Sequence, residues 1–218
     1  ASDVYKRQDK RFGNLWIGSR PTRLQGTFQI LFLDFSRASG GSGTLAENFD
    51  RYCCMVMDLF GMSYESYYFP GFAQEMKAQP DFVSKLNYLN LHAAETGAHL
   101  YLIIDEYDNF TNVVLNEQGK EVYHALTHAS GFYREIFKKF KGMFERIFMT
   151  GVSPVTLDDL TSGFNIGWNI STKHQFNMML GFSETDVREM LQYYKDARQL
   201  PGNVDISAMI EEMRPWYD

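Results

Sequence analysis

The stretch that decides the fold is LYLIIDEYD, residues 100–108, in which five consecutive apolar residues run into two adjacent carboxylates. An apolar run of this length, with two β-branched members, predicts a strand that is buried on both faces of a parallel sheet. Such a strand delivers its last residues to the crevice where α/β proteins bind ligands. Asp105 and Glu106 are therefore candidate functional residues, and the alternative is a strand that stops at a solvated acidic turn.

The order of the two carboxylates matches the roles of the corresponding residues in nucleotide hydrolases. In nucleotide hydrolases the first carboxylate after such a strand holds Mg²⁺, usually through water, and the second polarises the attacking water. Asp105 would take the first role and Glu106 the second, with Asp108 and Asn109 just beyond them. The stretch therefore predicts a magnesium-dependent hydrolytic site at one edge of a sheet.

The rest of the chain alternates strands with long helical segments. Helical patterns begin at three capping residues, Thr44, Asp81 and Ser183. We expect the first of these helices to end at Gly61, and residues 62–80 to be irregular. Further strands are predicted at residues 28–35 (FQILFLDF), 146–150 (RIFMT) and, more weakly, 176–180. This rhythm predicts an α/β fold, a parallel sheet with helices on both faces.

Polar residues follow the other predicted strands too. Thr150 and Ser153 come at the end of the third strand, where a hydroxyl could sense a γ-phosphate or position the water. Ordinary turn chemistry before Pro154 also explains them, and the spacing alone favours that interpretation. Asp34 could support a phosphate site indirectly or cap the Gly/Ser-rich loop that follows it, and we favour the cap.

One expected motif is missing from the sequence. A phosphate-binding loop needs the string G-x-x-x-x-G-K-S/T, whose backbone N–H groups and lysine cradle phosphates, and these 218 residues contain none. Without this loop, the chain carries only the part of such a site that is expected to bind Mg²⁺ and to activate water. A zinc site is not supported either, because the pair His124 and His128 lacks a third ligand and the glutamate of the HExxH motif. A PD-(D/E)xK nuclease site formed by Asp81 and the pair Asp105–Glu106 is not supported, because the lysine that this motif requires after the acidic pair is absent.

Composition limits the class of protein. The net charge of −6 and the pI of about 5.4 argue mildly against a domain that coats nucleic acid. The two cysteines, Cys53 and Cys54, are adjacent, which indicates a reducing cytoplasm and no zinc site. No apolar run approaches the roughly 20 residues of a membrane span, so we expect no membrane association. Residues 1–8 resemble a non-native leader and are left out of the fold.

Several blocks of the sequence resemble one bacterial family, the AAA-ATPase-like proteins. The resemblance covers essentially the whole chain after the first eight residues, and its central block is long and distinctive. It implies a P-loop NTPase fold of the AAA/STAND-like kind. The matching blocks are LWIGSRPT (15–22), FLDFS (32–36), LYLIIDEYDNF (100–110), RIFMTGVSPVTLDDLTSGFNI (146–166), FNMMLGFSETDVREML (176–191) and MRPWYD (213–218).

The resemblance implies specific roles and a domain plan. Asp105 corresponds to the Walker B aspartate that binds Mg²⁺ and Glu106 to the catalytic glutamate, while Thr150 and Ser153 fall in the sensor region. ATP and Mg²⁺ are the implied cofactors. With residues 1–8 set aside as a leader, the implied plan is an NTPase-like core lacking its first strand and phosphate-binding loop (residues 9–181), followed by the start of a helical lid (residues 182–218).

The sequence therefore looks like a piece of an ATPase that is truncated at both ends. Many members of the family carry a C-terminal PD-(D/E)xK nuclease-like domain, and nucleic acid would be contacted only through such a domain. The alternative function is a non-catalytic NTPase-like module for interaction or regulation, since a fold does not fix its function.

Overall fold

A computed structural model describes most of the chain. The described residues are 13, 15–38, 42–127, 131–152, 168–171, 173–176, 179 and 181–217. The chain divides into two compact units, residues 1–165 and 166–218. The boundary at 181/182 that the sequence suggested between core and lid stays a prediction.

The first unit is built on a parallel sheet of three strands in the order β1-β2-β3. The register pairs Leu31 with Leu102 and Leu102 with Ile147, so the three strands run level with one another. The predicted α/β fold with a parallel sheet flanked by helices is thereby confirmed. The strands are β1 (Phe28–Asp34), β2 (His99–Asp105) and β3 (Arg146–Met149).

Helices make both connections between these strands. The first connection contains a long helix, a short one and a third that returns to β2, and the second contains three helices that return to β3. The α-helices among the described residues of the first unit are α1 (Trp16–Ser19), α2 (Leu45–Tyr64), α3 (Phe72–Ala78), α4 (Phe82–Thr96), α5 (Asn109–Gln118), α6 (Lys120–Thr127) and α7 (Phe132–Met143).

The two faces of the sheet differ in burial, contrary to the expectation of helices on both. Both connections step across the sheet in the same direction, and a right-handed crossover then places both sets of helices on one face. That face is fully buried, with Leu33 and Ile104 at 0% exposure. On the opposite face Ile30 and Phe32 are 39% and 51% exposed. On strand β2, Leu102 and Ile104 are buried, whereas Tyr101 and Ile103 on the opposite face are half-buried.

Tyrosine hydroxyls protect the outer edge of β1. The backbone N–H of Ile30 donates to the Tyr64 hydroxyl at 3.0 Å, and that of Asp34 donates to the Tyr52 hydroxyl at 2.8 Å. Both tyrosines lie on α2. An edge strand with unpaired N–H groups is a template for pairing with another chain, so these two bonds block part of that edge.

Helix α2 begins where the sequence predicts and ends later. Thr44 and Glu47 form the expected capping box. Gly61, however, lies inside the helix, which continues to Tyr64. A Cβ at Gly61 would lie 3.3 Å from Met76 Cγ and 3.4 Å from Ala73 Cα, so the glycine permits close packing of α3 rather than ending α2. Residues 62–80 therefore contain a helix that the sequence reading missed.

A buried lysine holds the end of α3. The Lys85 ammonium donates to Asp58 Oδ1 at 2.7 Å, to the Met76 carbonyl at 2.7 Å and to the Lys77 carbonyl at 3.2 Å. Lys85 is 2% exposed, and these three acceptors match its three N–H donors. The residue therefore donates to two carbonyls at the C-terminus of α3, that of Lys77 and that of Met76, which also accepts the Gln79 N–H.

In the described part of the second unit, the α-helices are α8 (Glu184–Asp196) and α9 (Ile206–Tyr217). The predicted cap of α8 is confirmed, because Ser183 and Asp186 form a capping box. The fourth strand predicted at residues 176–180 is wrong at its start, because Phe176 belongs to a 3₁₀ helix, His174–Phe176. Among the described residues, no helix is long and apolar enough to cross a bilayer.

Candidate functional site

The carboxyl ends of β1, β2 and β3 meet at one edge of the sheet. Asp34 and Asp105 are partners in the register, and Thr150 follows directly after β3. The Thr150 N–H donates to the Ile104 carbonyl at 2.9 Å, and the Thr150 carbonyl accepts from the Tyr107 N–H at 3.1 Å. Thr150 thereby extends the pairing of β3 with β2 past the last strand residue. This is the edge where open α/β sheets bind ligands.

Asp105 and Thr150 are in direct contact. The Thr150 hydroxyl donates to Asp105 Oδ1, and the same oxygen accepts the Glu106 N–H at 3.1 Å. Both side chains are half-buried. The structure thus brings together two residues that lie 45 positions apart in the sequence and that sequence analysis singled out separately.

Glu106 has an unusual backbone conformation. Its φ is 54°, in the left-handed region that non-glycine residues rarely adopt. Such a residue costs on the order of 1–3 kcal/mol and persists only where its surroundings hold it. The Glu106 N–H donates to Asp105, and its carbonyl accepts from the Asn109 N–H at 2.9 Å. Strain of this kind concentrates at functional sites, which supports Glu106 as a candidate functional residue.

The buried side chain of Tyr133 supports the turn that carries Glu106. The Tyr133 hydroxyl donates to the Tyr107 carbonyl at 2.6 Å. Complete burial raises the pKa of Tyr133 well above its usual value, so this hydroxyl keeps its proton and remains a donor. The Tyr133 ring stacks on Phe110 with centroids 5.3 Å apart. Helix α7 therefore supports the turn after β2.

Asp108 is a buried carboxylate that sequence analysis named only in passing. It is 1% exposed. Its Oδ1 accepts the Val152 N–H at 3.1 Å, and its Oδ2 accepts from the Asn112 side chain at 3.1 Å. The spacing of Asp108 and Asn112, four residues apart at a helix start, was the one signal in the sequence. The contact with Val152 has no such signal, because it joins two different strand ends.

Asp34 has local partners. Its Oδ1 accepts the Ser36 N–H at 3.1 Å and the Ser36 hydroxyl at 2.6 Å, and its Oδ2 lies 3.0 Å from Arg37 Nε. Asp34 thus caps the 3₁₀ helix Phe35–Arg37. The interpretation of Asp34 as a cap is confirmed.

Two candidate site residues that the sequence analysis named have no described position in the structure. Ser153 and His128 lie outside the described residues, so the sensor role of Ser153 stays a prediction. Within the described part of the chain, no cluster of three or more His, Cys, Asp or Glu side chains could hold a metal ion.

A cavity of about 650 Å³ lies over the open face of the sheet. Apolar side chains of β1 and α2 line it, with Arg146 and Tyr101 from the neighbouring strands. None of Asp105, Glu106 and Thr150 lines the cavity. The candidate site is therefore defined by hydrogen bonding at the strand ends and is separate from this cavity.

Comparison with known proteins identifies the family of the chain. A search of curated proteins and a search of solved structures returned no significant match. The model of one protein family, described as "Predicted AAA-ATPase", matches residues 2–161, which include all three strands and the candidate site. The chain belongs to this predicted AAA-ATPase family.

Proposed function

We propose that the edge formed by Asp105, Glu106 and Thr150 is the metal- and water-handling half of an ATP-hydrolysing site. The observation that carries the proposal is the hydrogen bond between Thr150 and Asp105, with Glu106 held in a left-handed conformation beside it. Membership of the predicted AAA-ATPase family supports a nucleotide as the ligand. The three residues would act in the full-length protein that carries this chain.

The donor groups at this edge suit magnesium. Mg²⁺ prefers oxygen ligands and is usually held by one or two carboxylates together with water and substrate phosphates. Asp105 offers a half-buried carboxylate whose Oδ1 is oriented by Thr150 and by the Glu106 N–H. In this proposal Asp105 holds the ion. When bound, Mg²⁺ would neutralise charge that develops on the phosphate oxygens.

Glu106 and Thr150 have distinct tasks in the proposed reaction. Glu106 accepts a hydrogen bond from the attacking water and aligns it with the γ-phosphate. Thr150 donates its hydroxyl proton to Asp105 and so keeps one carboxylate oxygen in a fixed direction. Ser153 is proposed as a second sensor group from the family resemblance alone.

Phosphate binding needs groups beyond this edge. Most contacts to the phosphates in such enzymes come from a glycine-rich loop and its lysine, and the 218 residues contain no string of that type. We therefore expect the isolated chain to bind ATP weakly or not at all. Tight binding of ATP to the isolated chain in calorimetry would contradict this part of the proposal.

The decisive experiment replaces the proposed water-aligning carboxylate. In the full-length protein, Glu106→Gln should leave the Kd for ATP nearly unchanged and lower kcat by about 100- to 10,000-fold. The matched control is Glu117→Gln, which makes the same chemical change at an exposed position on α5 and should not alter kcat. Unchanged turnover in Glu106→Gln would remove the role of Glu106.

One observation favours the alternative of a non-catalytic module. The open sheet face exposes Ile30 and Phe32, and exposed apolar groups can mark interaction surfaces. ATP turnover by the full-length protein separates the two functions, since a pure interaction module needs none. A lid formed by residues 182–218 and coupling to a nuclease-like domain remain parts of the proposal that rest on the family resemblance.

A further inference from the structure

The carboxylate of Asp108 is completely buried, and none of the roles proposed above uses it. Its two oxygens accept hydrogen bonds from groups on different elements, the Val152 N–H after β3 and the Asn112 side chain on α5. A buried carboxylate is stable only where its oxygens are hydrogen-bonded, so this side chain is confined to one arrangement. The Val152 side chain is 84% exposed, so it is the backbone at this point that Asp108 holds.

A second observation shows how closely the two strand ends approach. A Cβ at Gly151 would lie 2.5 Å from Asp108 Oδ1 and 2.6 Å from Tyr107 Cε1. Real Cβ atoms essentially never come that near to another heavy atom. The backbone after β3 therefore lies directly against the Tyr107 and Asp108 side chains, and any side chain at position 151 would force them to shift.

We infer that Asp108 is a positioning residue that fixes the backbone after β3 against the turn carrying Glu106. The inference rests on the proposed function, because its effect is exerted through Glu106 and Thr150. We call the Asp108 carboxylate together with the Gly151–Val152 backbone the strand-end clamp.

The clamp acts on both residues through a short chain of hydrogen bonds. Thr150, one residue before Gly151, donates through its hydroxyl to Asp105 and accepts the Tyr107 N–H at its carbonyl. Glu106 lies between those two partners in a left-handed conformation. If the backbone at Val152 moves, Thr150 moves with it, and the two neighbours of Glu106, Asp105 and Tyr107, lose their hydrogen bonds to Thr150. Asp108 needs no contact with the nucleotide for this effect.

The test compares three variants in the full-length protein. Asp108→Ala removes both acceptors and should lower kcat by roughly 100-fold while KM for ATP changes little, because displacement of a catalytic group by about 1 Å has an effect of that size. Asp108→Asn keeps one acceptor for Val152 and can pair with a reoriented Asn112, so it should restore most of the turnover. The control is Asp50→Ala, which removes a carboxylate that accepts the Phe82 N–H at 2.9 Å and should not change kcat of the folded protein.

A double-mutant cycle distinguishes positioning from a general loss of structure. If Asp108 acts through Glu106, then Asp108→Ala should cause little further loss of kcat in a Glu106→Gln background. Independent, multiplying losses would overturn the inference while leaving the role of Glu106 intact. A full-length wild type without ATP hydrolysis would instead remove the proposed function, and this inference with it.

Amide exchange measures the clamp without any nucleotide. Hydrogen–deuterium exchange at the Val152 amide should be slow in the wild type and faster in Asp108→Ala. The same change is expected in Gly151→Ala, which strains the clamp from the other side. Unaltered exchange at Val152 in both variants, in a protein that hydrolyses ATP, would overturn the inference and leave the proposed function standing.

Discussion

Strands β1 and β2 end on the same residue type at the same level of the sheet, yet their two carboxylates have different kinds of partner. Asp34 and Asp105 are paired in the register. Asp34 accepts hydrogen bonds from Ser36 and forms an ion pair with Arg37, two and three residues further along the chain. Asp105 accepts from Thr150, which comes from the neighbouring strand.

The difference comes from the position of each strand in the sheet. β1 is an edge strand, and its outer side is covered by tyrosines of α2, so its last carboxylate meets mainly its own loop. β2 lies in the middle, and its end faces the end of β3. A carboxylate with local partners stabilises a turn, whereas one with a partner on another strand can hold a site in place. The same short pattern, an apolar run followed by Asp, thus serves two purposes.

The largest expected effect is a difference in ATPase activity between substitutions of Asp105 and of Asp34. Asp105→Asn should lower kcat of the full-length protein by about 100- to 1,000-fold, because the proposed metal-binding charge is lost. Asp34→Asn should leave kcat nearly unchanged, because Asp34 only caps a turn. Steady-state ATPase assays on both variants give the comparison directly. Equal losses in the two variants would mean that Asp34 also belongs to the site.

Removing the hydroxyl that donates to each aspartate should likewise lower kcat at Asp105 and leave it unchanged at Asp34. Thr150→Val keeps the side-chain shape and removes the donor to Asp105, and loss of a hydrogen bond to a charged group predicts a decrease in kcat of about 10- to 100-fold. Ser36→Ala removes the hydroxyl donor to Asp34 and should not alter kcat. If both variants retained full turnover, the contact between Thr150 and Asp105 would have no part in catalysis.

The support beneath the turn after β2 should contribute to stability. Tyr133→Phe removes the hydroxyl that donates to the Tyr107 carbonyl, and the loss of this buried hydrogen bond should lower the free energy of unfolding by about 0.5–1.5 kcal/mol. Urea denaturation of the folded chain measures this loss. Tyr193→Phe is the control, since Tyr193 is 69% exposed and its change should have no measurable effect. A stable Tyr133→Phe protein would show that α7 does not support the turn.

The smallest effect concerns a carboxylate with purely local bonds, the cap of α4. Hydrogen bonds from Ser84 hold the pKa of Asp81 below its usual value. Because the folded-state pKa is the lower one, its contribution is complete above the usual pKa and is lost as the pH falls through the lowered value. Asp81→Asn, which can still cap the helix, should therefore lose less stability than the parent between about pH 5 and pH 2. Identical pH profiles from urea denaturation would contradict this.

Sequence patterns located the features that depend on neighbouring residues. The strands at 28–35, 100–104 and 146–150 were found to within a few residues, and the caps Thr44, Asp81 and Ser183 were correct. An apolar run or a cap is encoded within a few positions, so one sequence is enough to find it. Gly61 was misread for the same reason, because a helix-ending glycine and a close-packed glycine look alike locally.

Three other features could not be read from the sequence. The partial exposure of one sheet face, seen at Ile30 and Phe32, follows from both crossovers stepping in one direction, and strand order is a property of the whole unit. The burial of Asp108 and its bond to Val152 join residues 44 positions apart. The left-handed backbone of Glu106 needs partners on other elements to be tolerated.

The sequence by itself determined the α/β class, the strand that ends at Asp105 and Glu106, and the resemblance to AAA-ATPase-like proteins. The tertiary structure alone decided that Thr150 contacts Asp105, that Asp34 stays within its own loop, and that Asp108 fixes the end of β3. The physical reason is the range of the interactions. Hydrophobic periodicity and capping act over a few residues, whereas hydrogen bonds between strand ends exist only once the order and register of the sheet are set.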